Sequence, residues 1–238
     1  TMTTYFGKDY QDGRGLAPPD NDNNCQVEIV VYDIDGAYNI GGYFSPGTAP
    51  TRDVVYVDFA DITLAWGKSI IAHELQHLLH NAQDPYENLW LDEGNADVAI
   101  YLCFGADGTL AGHLNGWTQQ SDLSVRWWNQ RNADYGAGFV FTMYLADHLG
   151  GGPAVRQLVQ DSATGGLGVE NLALSPVSGQ SGKIGRTMGE IFANFSIAAT
   201  IDSDQGIYGF SNLDLNPSCG GSTFCRITPA DTNSEWST

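Results

Sequence analysis

SIIAHELQHLL, residues Ser69 to Leu79, decides how the rest of this chain is read. Apolar residues recur at Ile71, Leu75, Leu78 and Ala82, the spacing of one helix face. Side chains four positions apart share a face, so His73 and His77 point the same way and can bind one metal ion. Glu74, beside the first of them, is placed to take a proton from an attacking water. H-E-x-x-H on a helix therefore carries two ligands and the base of a zinc hydrolase.

Zinc takes a third protein ligand and keeps a fourth position open. His80 shares the face of His77 but lies seven residues from His73. That is about 10 Å along a helix axis, so the three histidines cannot serve one ion, and His80 reads as a partly buried helix histidine. A third histidine six residues past the motif is ruled out: Gln83 stands there, and no glycine bends the chain. Asp84-Pro85 ends the helix, and WLDEGNADVAIYL, Trp90 to Leu102, reads as a second one. It offers Glu93, sixteen residues after His77, enough for a turn and a returning helix. Asp97 falls one helical turn later, where it can accept the outer N–H of a ligand histidine; a solvated helix carboxylate is its other reading. Glu87 and Asp92 are further candidates for the third ligand.

These residues resemble a known class. His73-Glu74-x-x-His77 followed by W-L-D-Glu93-G-x-x-Asp97 looks like the gluzincin zinc peptidases. DIDGAYNIGGYF, Asp33 to Phe44, resembles the hyicolysin family of secreted bacterial neutral metallopeptidases. Tyr135-Gly-Ala-Gly138-Phe-Val-Phe-Thr-Met-Tyr144-Leu is similar to the helix carrying the catalytic tyrosine in gluzincin aminopeptidases. The likeness runs roughly from Ile29 to Thr200. It implies an α+β zincin (thermolysin-like) domain: a small mixed sheet and an active-site helix, then a mainly helical lobe. It also implies one catalytic zinc on His73, His77 and Glu93, Glu74 as base, Tyr135 as donor to the oxyanion, and secretion.

Composition sets the outer bounds. The 238 residues suffice for one domain with a sizeable core, divided as 1–82 for sheet and active-site helix, 83–202 for the helical lobe and 203–238 for an irregular tail. A net charge of −18, from 28 acidic and 10 basic residues, makes nucleic acid a poor partner. No apolar run approaches a membrane span, and no signal peptide is visible at Thr1. The expected partner is a peptide or protein substrate, met by a monomer. Asp20 to Asn24 (DNDNN) supplies hard oxygen donors, so calcium is an additional candidate ion, although the spacing and glycine of a known calcium loop are missing. Cys219 and Cys225 bracket a short loop easily closed by a disulfide, which leaves Cys25 for Cys103; free thiols are the alternative. An even cysteine count and few lysines favour an oxidising, extracellular setting.

Along the chain, Val27 to Tyr32 reads as a buried strand and Tyr43-Phe44 as a short extended piece. Val54 to Phe59 is expected to be the edge strand that pairs with an extended substrate. Helices are expected over about Leu64 to Ala82, Leu89 to Phe104, Ser121 to Arg131, Gly136 to Leu149, Pro153 to Ala163 and Thr187 to Ile201. Gly105 to Gly116, with His113, and Gly165 to Gly185 read as glycine-rich loops. His113 is a second candidate for the oxyanion donor; His148 falls on nearly the opposite helix face from Tyr135 and is set aside. Two other functions compete with an endopeptidase. An aminopeptidase needs a carboxylate for the substrate's α-ammonium; the G-x-M-E-N motif of the resembling aminopeptidases is absent, and Asp58 and Asp61 stand nearest. An inactive binding module would most simply have lost Glu74 or a ligand, and none is lost.

Overall fold

The computed structural model describes residues 27–48, 52–176, 180–203, 206–213 and 215, together with Met2 and Phe6. Among them the fold is α+β: a small mixed sheet followed by helices, the arrangement of a zincin-like metalloprotease domain. The strands are β1 (Glu28–Tyr32), β2 (Gly42–Phe44) and β3 (Val54–Asp58). They lie in the order β1-β3-β2, with β1 parallel and β2 antiparallel to β3.

This order exchanges two sequence expectations. Val54, Val55 and Val57 are buried in a strand flanked on both sides, so β3 is the centre of the sheet and not its edge. The β-branched run of β1 is an outer strand, with Ile29 and Val31 exposed. Periodicity cannot separate the two cases, because both strands are short apolar runs. The edge on the active-site side is β2, which packs directly on the helix bearing the H-E-x-x-H motif. A Cβ on Gly42 would lie 2.6 Å from Ile70 and 2.7 Å from the Tyr56 carbonyl, so only glycine lets the strand come this close.

The helices are α1 (Phe59–Ile62), α2 (Gly67–Asn81), α3 (Leu89–Phe104), α4 (Gly108–Thr118), α5 (Asn132–Leu149), α6 (Gly152–Gln160), α7 (Gly166–Leu174) and α8 (Met188–Ile201). α5 is the hub. Phe139, Phe141, Tyr144, Leu145 and Leu149 are fully buried, and a helix apolar all round belongs in a core. Each such side chain contributes about 1.5–3 kcal/mol by leaving water. α5 meets α3 where Gly94 and Gly138 touch: a Cβ on Gly94 would sit 2.6 Å from the Gly138 carbonyl oxygen. That backbone-to-backbone approach fixes the Tyr135 end of α5 relative to the Glu93 end of α3.

Three segments depart from the expected pattern. Ser121 to Arg131 forms turns instead of a helix. Gln130 adopts φ 60°, and Asp134 collects the N–H groups of Asn129 and Arg131, so local side-chain bonds compete with helix formation. Residues 108–118, read as loop, form α4. Its glycines disfavour a helix, but Leu110, Leu114 and Trp117 bury one face, and Asp107 caps the start by accepting from the Thr109 and Leu110 amides. Gly166–Leu174 forms α7 for the same reason, burying Val169, Leu172 and Ala173. Cys103, expected to pair with Cys25, is a free thiol with Met2 sulfur 3.3 Å from its Sγ. Cys25, Cys219, Cys225 and the DNDNN loop lie outside the described residues. Among the described residues no helix is long and apolar enough to cross a membrane.

Candidate active site

α2 ends where expected, before Pro85, and the chain returns as α3. The return brings Glu93 against the two motif histidines. Glu93 Oε2 lies 3.0 Å from His73 Nε2 and 3.4 Å from His77 Nε2. The three residues offer donor atoms that all fall within 4.8 Å of one another, so they could hold one metal ion. Glu74 is buried beside them, and its carboxyl accepts from the Phe44 amide on the edge strand. Burial pushes the Glu74 carboxyl up.

Each histidine is held from behind. Asp97 Oδ1 lies 3.1 Å from His73 Nδ1, and its other oxygen lies 2.6 Å from His113 Nδ1. Asp97 is fully buried, so it is no solvated surface carboxylate. Asp92 Oδ2 lies 2.9 Å from His77 Nδ1. Asp92 thus faces the outer nitrogen and not the shared point, which removes it as third ligand; Glu87 lies in a separate cluster with His80 and Asp84. His80 is buried, with Nδ1 2.7 Å from Asp92 Oδ1.

The charges show what the centre is built to accept. Burial alone would discharge every group here, yet the carboxylates stay ionised: paired with the histidines, Glu93 and Asp97 are both pulled down to about 2, and Asp92 falls well below the carboxylate range. Conversely, although burial opposes it, Asp97 and Glu93 push His73 up to about 10, and Asp92 and Glu93 raise His77 well above its ordinary value. Three carboxylates, Asp97 buried and Asp92 and Glu93 partly so, thus require positive charge between them. A divalent cation on neutral imidazoles meets that requirement as two imidazole protons do.

The opposite wall is built from α4 and α5. Tyr135 lies in the first turn of α5, its ring 6.0 Å from that of His73, centroid to centroid. His113 stacks on it at 4.6 Å and Trp128 meets it edge-on at 4.7 Å. Burial, then Glu93 and Asp97, raise the phenol far above its ordinary value. Tyr135, His113, His73 and Glu74 line a cleft of about 740 Å³ that also includes Tyr38, Gly42 and Trp66. His148 is not at the cleft; its Nε2 lies 3.0 Å from the Gly209 carbonyl oxygen.

Two features were not legible beforehand. His113 reaches Asp97 only because residues 108–118 are helical. Asp92 links His77 to His80 because the start of α3 packs against the end of α2; adjacent acids at 92 and 93 facing histidines at 77 and 80 were the available signal.

No protein-family model matches this chain. It is similar to the neutral metalloprotease ShpI of Staphylococcus hyicus, 26% identical over 227 residues, a match covering 82% of this chain. The chain spans about half the length of that protein, 50%. With ligand atoms of His73, His77 and Glu93 within 4.8 Å of one another, this likeness supports a metallopeptidase of the hyicolysin type.

Proposed function

We propose that the chain is the catalytic domain of a zinc-dependent endopeptidase. One observation carries the reading: His73, His77 and Glu93 bring ligand atoms within 4.8 Å of one another, at a cleft lined by His73 and Glu74 with Gly42 of edge strand β2 alongside. Two imidazoles and a carboxylate are the ligand set of several hydrolytic zinc sites. Zinc bound there would supply a Lewis acid and lower the pKa of a water towards neutrality.

The chain's own residues do the rest. Asp97 and Asp92 orient the outer nitrogens of His73 and His77, which leaves both Nε2 lone pairs facing Glu93. The Glu74 carboxylate accepts the proton of the attacking water and delivers it to the leaving nitrogen. Tyr135 keeps its proton at any working pH, since its pKa is raised, and so can donate to the oxyanion. Tyr135→Phe is expected to lower kcat roughly ten- to a thousand-fold with KM little changed, because the donor answers charge that appears only in the transition state. Steady-state kinetics check this; an unchanged kcat would transfer the role to His113.

An extended peptide can pair with β2 through main-chain hydrogen bonds. The carboxylates nearest for gripping a free amino terminus are already engaged. Asp58 accepts from the Ile34, Ala60 and Asp61 amides, and Asp61 accepts from the Tyr38 amide at 3.0 Å. Substrate should therefore be cut internally. An N-acetylated peptide about ten residues long, enough to span a strand-pairing cleft, is expected to be cleaved at a rate comparable to its free counterpart. Mass spectrometry of early products decides it. Stepwise release of single residues from the free peptide alone would overturn the endopeptidase reading and point to Asp61. Action outside the cell belongs to the same proposal, supported by the resemblance of Asp33 to Phe44 to secreted enzymes.

A further inference from the structure

Behind the catalytic centre, where α2 ends, three polar atoms are buried without a hydrogen-bond partner among the described residues: His80 Nε2, Asp84 Oδ2 and Glu87 Oε2. His80 is 1% exposed and Asp84 4%. Each side chain has spent its other polar atom on the protein. His80 Nδ1 lies 2.7 Å from Asp92 Oδ1 and 3.4 Å from Gln76 Nε2, Asp84 Oδ1 accepts the Tyr86 amide at 3.2 Å, and Glu87 Oε1 accepts the Asn88 and Gly165 amides at 2.5 and 2.6 Å. What remains is one free donor atom apiece. The three residues offer ligand atoms that lie within 4.8 Å of one another. Buried polar groups are as a rule satisfied, so an orphan atom on each of three residues whose ligand atoms gather this closely calls for a common partner. Two carboxylates facing an imidazole at the C-terminal end of a helix favour a cation there.

We propose that His80, Asp84 and Glu87 form a second metal site, separate from His73, His77 and Glu93, that takes a first-row divalent cation of the zinc class. An imidazole among the ligands selects against calcium and magnesium, which prefer all-oxygen shells. Asp92 connects this site to the first. With His80 Nε2 on a metal, His80 Nδ1 must carry the proton and donate it to Asp92 Oδ1. The other oxygen of Asp92 is then held for His77 Nδ1–H, which keeps His77 Nε2 free as a ligand. The second ion thereby sets the tautomer of a ligand at the first.

The test is zinc stoichiometry of the full chain, stripped with chelator, reloaded with zinc chloride, desalted and measured by elemental analysis. Wild type is expected to hold about two ions, Asp84→Asn/Glu87→Gln about one, His73→Ala about one, and the triple variant none. The amide substitutions keep Oδ1 and Oε1 as acceptors for Tyr86, Asn88 and Gly165, so folding should survive, and circular dichroism checks it. In the His73→Ala background zinc should raise Tm, and Asp84→Asn/Glu87→Gln should remove that rise. Loss of one ion on adding those two changes supports the site even if His73→Ala itself removes none. A wild type holding one ion, or an Asp84→Asn/Glu87→Gln protein holding as much zinc as wild type, overturns the proposal. So does displacement of the second zinc by a calcium excess of roughly a hundred-fold, which the imidazole should prevent.

Discussion

Glu74→Gln is expected to lower kcat roughly a hundred- to ten-thousand-fold, the range that a positioned general base contributes, while zinc content stays at the wild-type value. The change keeps size and shape and removes only the capacity to take a proton. It should cost no stability. Burial pushes the Glu74 carboxyl up, which means that the folded state disfavours its charge; a neutral amide removes that cost, so Tm should hold or rise. Kinetics on an unstructured protein substrate, elemental analysis and a thermal melt on one preparation suffice. Turnover at a tenth of wild type would end the assignment of Glu74 as the base.

His77→Ala is expected to abolish both metal retention at the first centre and turnover. Nε2 of His77 is one of three donors, and its Nδ1 is the partner of Asp92. Truncation therefore also leaves the partly buried Asp92 with less compensation, since His77 is the largest influence holding that carboxyl down against burial. Breaking one side of a buried pair costs about 3 kcal/mol or more, so the variant should melt lower than wild type, unlike Glu74→Gln. The two variants thus separate chemistry from construction: one keeps metal and stability but not rate, and the other loses the first-centre ion, rate and part of its stability. A His77→Ala protein with its full zinc complement would sink the ligand set.

The two motif histidines and the helix that carries them were legible in the sequence because both are local. Spacing of four puts His73 and His77 on one face whatever surrounds them, and Asp84-Pro85 stops a helix through its own backbone chemistry. The return helix, Leu89–Phe104, was readable for the same reason, so Glu93 and Asp97 could be placed on its inner face before any fold was known. Strand order was not legible. β1 and β3 are both short β-branched runs, and only the packing of α2 and β2 decides that Val54–Asp58 lies between its neighbours. Nor was α4, where the burial of Leu110, Leu114 and Trp117 outweighs three glycines and brings His113 onto Asp97. The pairing of His77 and His80 through Asp92, and the cluster at His80, Asp84 and Glu87, depend on how α3 crosses the end of α2. Sequence by itself put His73 and His77 on one helix face and offered Glu93, Glu87 and Asp92 as candidates beside them. Tertiary structure alone decided which carboxylate faces which nitrogen, because that depends on contacts between elements that no local periodicity encodes.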